Sequence, residues 1–199
     1  MLRLIARAAG LVVMAFALGA NAQEAPDALV KKTADDVLGV IKQTKDQRKL
    51  IEIAEQKVVP YFDFKQMTRL AVGRSWSEAS AAQQQALERA FRTLLVRTYT
   101  AALTRTSGDV KVEVKPSAAK PDGDETIVKT VASESGRQPV HIDYRMVKTP
   151  EGWKVYDVVV ENLSLVTSYR SSFQSEIARS GIDGLIKTIE TKNQKTAEG

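Results

Sequence analysis

Near Gly108 the spacing of the apolar residues changes from about 3.6 to 2, so the chain must be helical on one side of that point and sheet on the other. Before it, Val30, Ala34, Val37, Leu38 and Ile41 recur on one helical face, and Pro26 suits a first-turn position where its missing N–H costs nothing. A second helix is predicted after Asp46, carrying Leu50, Ile53, Ala54 and Val58 inward and ending by Pro60. Asp63 can cap a third, with Gly73 placed to end it. Ser80-Ala81-Ala82-Gln83 reads as a capping box for a long helix whose stripe is Leu87, Phe91, Leu94, Leu95, Thr98 and Ala102, ended by Gly108.

Beyond Gly108, Val110, Val112 and Val114 alternate with charged residues in a first strand, and Pro121-Asp122-Gly123 turns the chain. Ile127 to Ala132 is a second strand, and Ser135-Gly136-Arg137 turns it back. Val140, Ile142, Tyr144 and Met146 share one face of a third, and Trp153 to Val160, apolar on both faces, is a fourth. The spacing of Val166, Tyr169, Phe173 and Ile177 returns to helix, with Gly181 as its end. Asp183 can then cap a short helix through Ile189, before a polar, frayed tail from Asn193. Helices, then an antiparallel meander of about four strands, then closing helices give an α+β fold with the helices layered over one sheet.

The N-terminus bears on the compartment. Arg3 and Arg7 precede an apolar run, Leu11 to Leu18, too short to span a bilayer, and Ala20-Asn21-Ala22 is a small-x-small cleavage site. Residues 1–22 are therefore expected to be a signal peptide cleaved after Ala22, and residues 23–199 a single exported domain. The chain has no cysteine, so its stability must come from a packed core rather than disulfides. Its net charge is +5, of which two charges lie in the expected signal segment, and export argues against nucleic acid as a ligand.

Chemistry-bearing residues are few. Without cysteine and with His141 as the single histidine, metal clusters built on those ligands are not expected, and alternation along the third strand points His141 outward. Asp143, Asp157 and Glu161 allow a carboxylate pair, but Asp143 fits a solvated sheet face, and Asp157 in an apolar strand suits an arginine partner better than catalysis. No phosphate loop or nucleophile elbow is present, and no enzyme activity or cofactor is expected. Composition and periodicity alone stop at an exported α+β domain.

Two stretches go further. One is Trp153-Lys154-Val155-Tyr156-Asp157-Val158-Val159-Val160-Glu161-Asn162-Leu163-Ser164-Leu165-Val166, followed by Tyr169-Arg170-Ser171-Ser172-Phe173 and Ser180-Gly181-Ile182-Asp183-Gly184-Leu185. The other is Pro60-Tyr61-Phe62-Asp63-Phe64 with Ala71-Val72-Gly73, Trp76 and the Ser80–Gln83 cap. Together they resemble the MlaC family, also called the toluene-tolerance or Ttg2 auxiliary family, over essentially the whole exported chain.

The resemblance implies a curved sheet enclosing an apolar lipid cavity, and a periplasmic, monomeric phospholipid carrier of the Mla pathway, which maintains outer-membrane lipid asymmetry. Its implied partners are phospholipid, the MCE-domain subunit of an inner-membrane ABC transporter and an outer-membrane lipoprotein complex. Matched to the family motifs, Tyr99, Tyr144, Met146, Val159, Leu163 and Val166 are the candidate lipid-binding residues, and Arg97 and Arg170 the candidate cations at the head-group mouth. The cavity should be near or above the upper end of the ~300–1,000 Å³ typical of small-ligand pockets. The alternative is a small cup-shaped periplasmic enzyme or small-ligand-binding protein on the same layout.

Overall fold

The computed structural model describes residues 24–106, 109–116 and 123–198. The expected signal segment, the helix stop at Gly108 and the Pro121-Asp122 turn lie outside the described residues. Among the described residues six α-helices and five strands follow in chain order: α1 (Pro26–Gln43), α2 (Gln47–Lys57), α3 (Phe64–Val72), α4 (Ser75–Glu78) and α5 (Ala81–Leu103), then β1 (Lys111–Val114), β2 (Glu125–Ser133), β3 (Val140–Thr149), β4 (Gly152–Val160) and β5 (Leu163–Ser164), then α6 (Arg170–Glu198). The strands form one antiparallel sheet in the order β1-β2-β3-β4-β5. None of the described helices is long and apolar enough to cross a membrane.

Local chemistry sets the helix starts. The Asp46 carboxylate accepts from the Arg48 N–H at 2.9 Å, and the Asp63 carboxylate from that of Gln66 at 2.8 Å, each satisfying a donor with no partner inside its helix. Ser80 and Gln83 form both halves of the capping box. Gly73, at φ +67°, ends α3 where α6 crosses it closely: a Cβ there would lie 3.3 Å from Gln174 Nε2.

The sheet departs from its expected form in two places. A fifth strand exists because Glu161 and Asn162, both at positive φ (46° and 67°), make a two-residue turn that folds Leu163 back against Val160. A one-residue bulge also interrupts β4. Arg145 pairs with Asp157 and Met146 with Val155, which leaves Tyr156 without an opposite residue.

The C-terminal helix differs as well. Gly181, at φ 72° and ψ −175°, breaks α6 as the sequence suggests, but the helix resumes to Glu198. Asp183 accepts from Gln83 Nε2 of α5 at 2.8 Å. Asn193, expected in a frayed tail, is buried, and its Nδ2 donates to the Ala90 carbonyl at 2.9 Å.

Two apolar clusters result. One, under α3, α5 and α6, is close-packed around Leu87, Phe91, Val166 and Leu185. The other, between α1 and the inner face of the sheet, is smaller and centres on Leu29, Val30, Val128, Met146, Trp153 and Val155.

Candidate functional site

Between α1, α2, the C-terminal half of α5 and the inner face of the sheet lies an apolar cavity of about 630 Å³. That volume falls inside the small-ligand range rather than at its top, smaller than the sequence reading expected. Three walls bound it. The helical wall carries Val37 and Leu38 of α1 and Ile53 and Ala54 of α2; the floor is Ile142, Tyr144 and Met146 of β3 with Val155, Val158 and Val160 of β4; and Leu95, Tyr99 and Leu103 of α5 form the third side. Val37, Leu38, Ile53 and Ala54 sit on the stripes expected to pack inward, yet they are only half-buried because they face open space. Their periodicity is that of any amphipathic helix, so no signal in the sequence separates cavity wall from core.

Of the eight expected site residues, three line this space: Tyr99, Tyr144 and Met146. The other five lie elsewhere, for physical reasons. Inward alternation from Trp153 and Val155 would carry Val159 into the cavity, but the bulge at Tyr156 shifts the parity, so Val158 and Val160 face inward and Val159 faces out. Leu163 is 61% exposed on the edge strand β5. Val166 is fully buried in the close-packed cluster, where its N–H donates to Asp157 Oδ1 at 3.4 Å.

Both arginines tie helices together. Arg97 Nη1 donates to the Asn193 carbonyl at 2.7 Å, fastening α5 to α6. Arg170 donates through Nε and Nη2, at 3.1 and 2.8 Å, to the Leu70 carbonyl, and Gln174 Nε2 donates to that of Val72 at 2.6 Å. Those carbonyls belong to the last turn of α3, where no intrahelical donor remains, and a cation there also meets the negative end of the helix dipole. The cavity's own cation is Arg137, beside Glu134 at the β2–β3 turn; they are its only charged lining residues among those described.

The titratable groups near the cavity are held in their neutral or paired forms. Burial, first of all, and then the neighbouring Tyr169 and Asp157 push the Tyr99 phenol well above its ordinary value. Burial also raises Tyr144, against a smaller opposing hydrogen bond from Thr130. Asp157 is fully buried. Its Oδ2 lies 3.5 Å from Arg145 Nη1, and its Oδ1 accepts from Ser164 Oγ at 2.9 Å, so this carboxylate anchors β5 and the approach to α6. His141 is exposed, with Nδ1 3.3 Å from Glu161 Oε1. The Glu161 carboxylate is lowered, chiefly because it accepts from the His141 backbone N–H.

The chain that carries this apolar chamber is similar to known proteins in sequence and in fold. The family model described as MlaC protein matches residues 31–191. The chain belongs to the MlaC family. A curated relative, the intermembrane phospholipid transport system binding protein MlaC of Haemophilus influenzae, is 25% identical over 188 residues, covering 89% of this chain and 85% of that protein. A solved phospholipid-binding protein of Ralstonia solanacearum, in complex with a phospholipid, superposes with a TM-score of 0.78 at 37% identity, covering 86% of this chain and 98% of that one. The α+β architecture of the MlaC-family chain is thus that of a protein seen holding a phospholipid.

Proposed function

We propose that this protein is a periplasmic phospholipid carrier, which receives and delivers lipid between the MCE-domain subunit of an inner-membrane ABC transporter and an outer-membrane lipoprotein complex, and so maintains outer-membrane lipid asymmetry. The observation that carries the reading is the 630 Å³ apolar chamber, in a chain whose similar structure from Ralstonia solanacearum holds a phospholipid. The driving force is the transfer of tails out of water. Each methylene kept from water is worth ~0.8 kcal/mol, so two acyl chains of about thirty methylenes total on the order of 20 kcal/mol, a barrier to crossing an aqueous gap unaided.

The geometry suits that task. From Met146 to Val140 the floor of the chamber runs six residues along β3, or ~20 Å at ~3.3 Å per residue. One leaflet's chains span ~15 Å, half of the ~30 Å hydrocarbon core. Carriage makes and breaks no covalent bond, and Asp157, the fully buried carboxylate of β4, is engaged by Arg145, Ser164 and the Val166 N–H. The reading is therefore of a binding protein rather than an enzyme.

Protein isolated from the periplasm should yield phospholipid on organic extraction and mass spectrometry. A preparation that holds no lipid, and takes none up from phospholipid vesicles, overturns the reading.

A further inference from the structure

Net charge says little about where a protein docks, but the distribution of that charge over its surface says more. Where α1 hands over to α2, four of the eight residues 42–49 are cations, Lys42, Lys45, Arg48 and Lys49, and all four are exposed. Their place in the molecule is fixed by what surrounds them. Lys45 Nζ donates to the Thr106 carbonyl at 2.6 Å, which sets this turn against the end of α5 and the exposed Arg105. Ile41 and Leu50, on either side of the run, line the same chamber as Thr106, Val110 and Arg137. The row of the sheet in which Val112 pairs with Ala132, and Ala132 with Val140, bounds that end of the chamber as well. Six cations therefore gather at one end of the chamber, against three carboxylates in the same segments, Asp46, Asp109 and Glu134. Glu134 pairs with Arg137, and Asp46 is turned to the Arg48 N–H as the cap of α2. Among the described residues, Lys42, Arg48, Lys49 and Arg105 have no carboxylate within ion-pair distance.

We propose that this basic end of the molecule docks on an anionic bilayer surface. The class of partner follows from what the patch lacks. Protein interfaces are enriched in aromatic residues and depleted in lysine, and are held by a few anchors seated in fitted pockets. Residues 42–49, 105–109 and 133–140 include no aromatic residue, and three of the six cations are lysines on exposed stems. Long cationic stems spread over three elements follow a fluid layer of phosphates, in which each finds a head group wherever it reaches. The docking itself does not depend on carriage. Its use does, and rests on the carrier reading given above: the end of the chamber lined by Arg137 and Glu134 then faces the head groups, while the end closed by the buried Phe64 and Met67 of α3 faces away.

Sedimentation of the exported full chain with sucrose-loaded vesicles tests the docking, using phosphatidylcholine alone or mixed with an equal part of phosphatidylglycerol. Each cation near an anionic surface is worth about fivefold in partition, so a surplus of three gives a preference of about 100-fold for the anionic vesicles in ~0.1 M salt. The preference should vanish at ~1 M salt, where the Debye length falls to ~3 Å. Lys42→Gln, Arg48→Gln and Lys49→Gln together should bring it close to one while circular dichroism reports an unchanged fold. Lys65→Gln, Arg74→Gln and Lys187→Gln together remove the same net charge from exposed positions on the packed half, and should leave most of the preference in place. A wild type with no preference for the anionic vesicles overturns the bilayer as partner and leaves the patch to an acidic protein. Equal losses in the two triple variants overturn the assignment to this face, since net charge alone would then govern binding. Neither failure touches the carrier reading, which is tested by extracted lipid rather than by sedimentation. Protein that sediments with anionic vesicles but never holds lipid would keep the docking and overturn the carriage.

Discussion

The two halves of the molecule use similar residues to opposite ends. Under α3, α5 and α6 the apolar side chains close on one another: Phe91 is fully buried, with its ring centroid 5.2 Å from that of Tyr169 and 5.3 Å from that of Phe173, both edge-on. Under α1 and α2 the same kinds of residue stop short of contact and bound a chamber. A carrier needs both. The packed half supplies stability, and its cross-ties, Arg97 to Asn193 and Arg170 to Leu70, keep the closing helix in place, while the hollow half leaves apolar surface uncovered for a ligand to cover.

The contrast is sharpest in what a truncation costs. Phe91→Ala removes a ring from a filled core and should destabilise the protein by about 3–5 kcal/mol, transfer and cavity terms together. Ile53→Ala removes a half-buried side chain from the wall of a space that already exists, and should cost about 1 kcal/mol. Urea midpoints of delipidated protein test the pair. Equal losses would mean that the two halves are packed alike.

A charge placed on the chamber floor should act on the ligand before the fold. Ile142→Glu sets a carboxylate among apolar tails, where it must lose its water or bring water in, and either opposes lipid by about 1–3 kcal/mol, or roughly 5- to 150-fold in retention. Circular dichroism should report a folded protein and extraction a largely lipid-free one. Loss of the fold would instead place Ile142 in close-packed core.

How much of this contrast was legible in the sequence depends on what sets each feature. The helix starts were legible because caps are local: Asp46, Asp63 and the Ser80–Gln83 box each act within three residues. The inner face of β3 was legible because alternation held, so Tyr144 and Met146 were placed on the face that floors the chamber. β4 was not. Its bulge carries no glycine or proline to mark it, and one unpaired residue was enough to turn Val159 outward. The arginines were misplaced for another reason: which backbone carbonyl lacks a donor is settled only when α6 meets α3 and α5, some hundred positions away.

Smaller effects follow the tyrosines, which both lie on the hollow side. Tyr99 and Tyr144 have folded-state pKa values raised above the ordinary 10.0. Their contribution is therefore fully present below that value and is lost as pH rises through it toward the folded-state values, because the unfolded chain releases the protons first. Stability should be flat in this respect up to about pH 9 and fall by about pH 11, and Tyr144→Phe should flatten the fall. Urea midpoints at the two pH values give the slope, and an unchanged slope in Tyr144→Phe would mean that its phenol is not shielded.

The smallest effect is expected at Leu163, the residue where the family motif and the structure part most clearly. Its position opposite Val160 puts it on the inner side of the sheet, and Val160 does line the chamber. Yet β5 is two residues long and lies at the sheet's edge, so Leu163 stands beyond the rim with 61% of its surface in water. A carboxylate there keeps its hydration, so neither the desolvation cost expected at Ile142 nor a packing loss arises. Leu163→Glu should thus change stability by no more than about 0.5 kcal/mol and leave lipid content unaltered. The same two measurements used for Ile142→Glu decide it. A folded but lipid-free Leu163→Glu protein would show that the tails reach past Val160 to the edge strand, and the chamber's boundary would then have to be redrawn around β5.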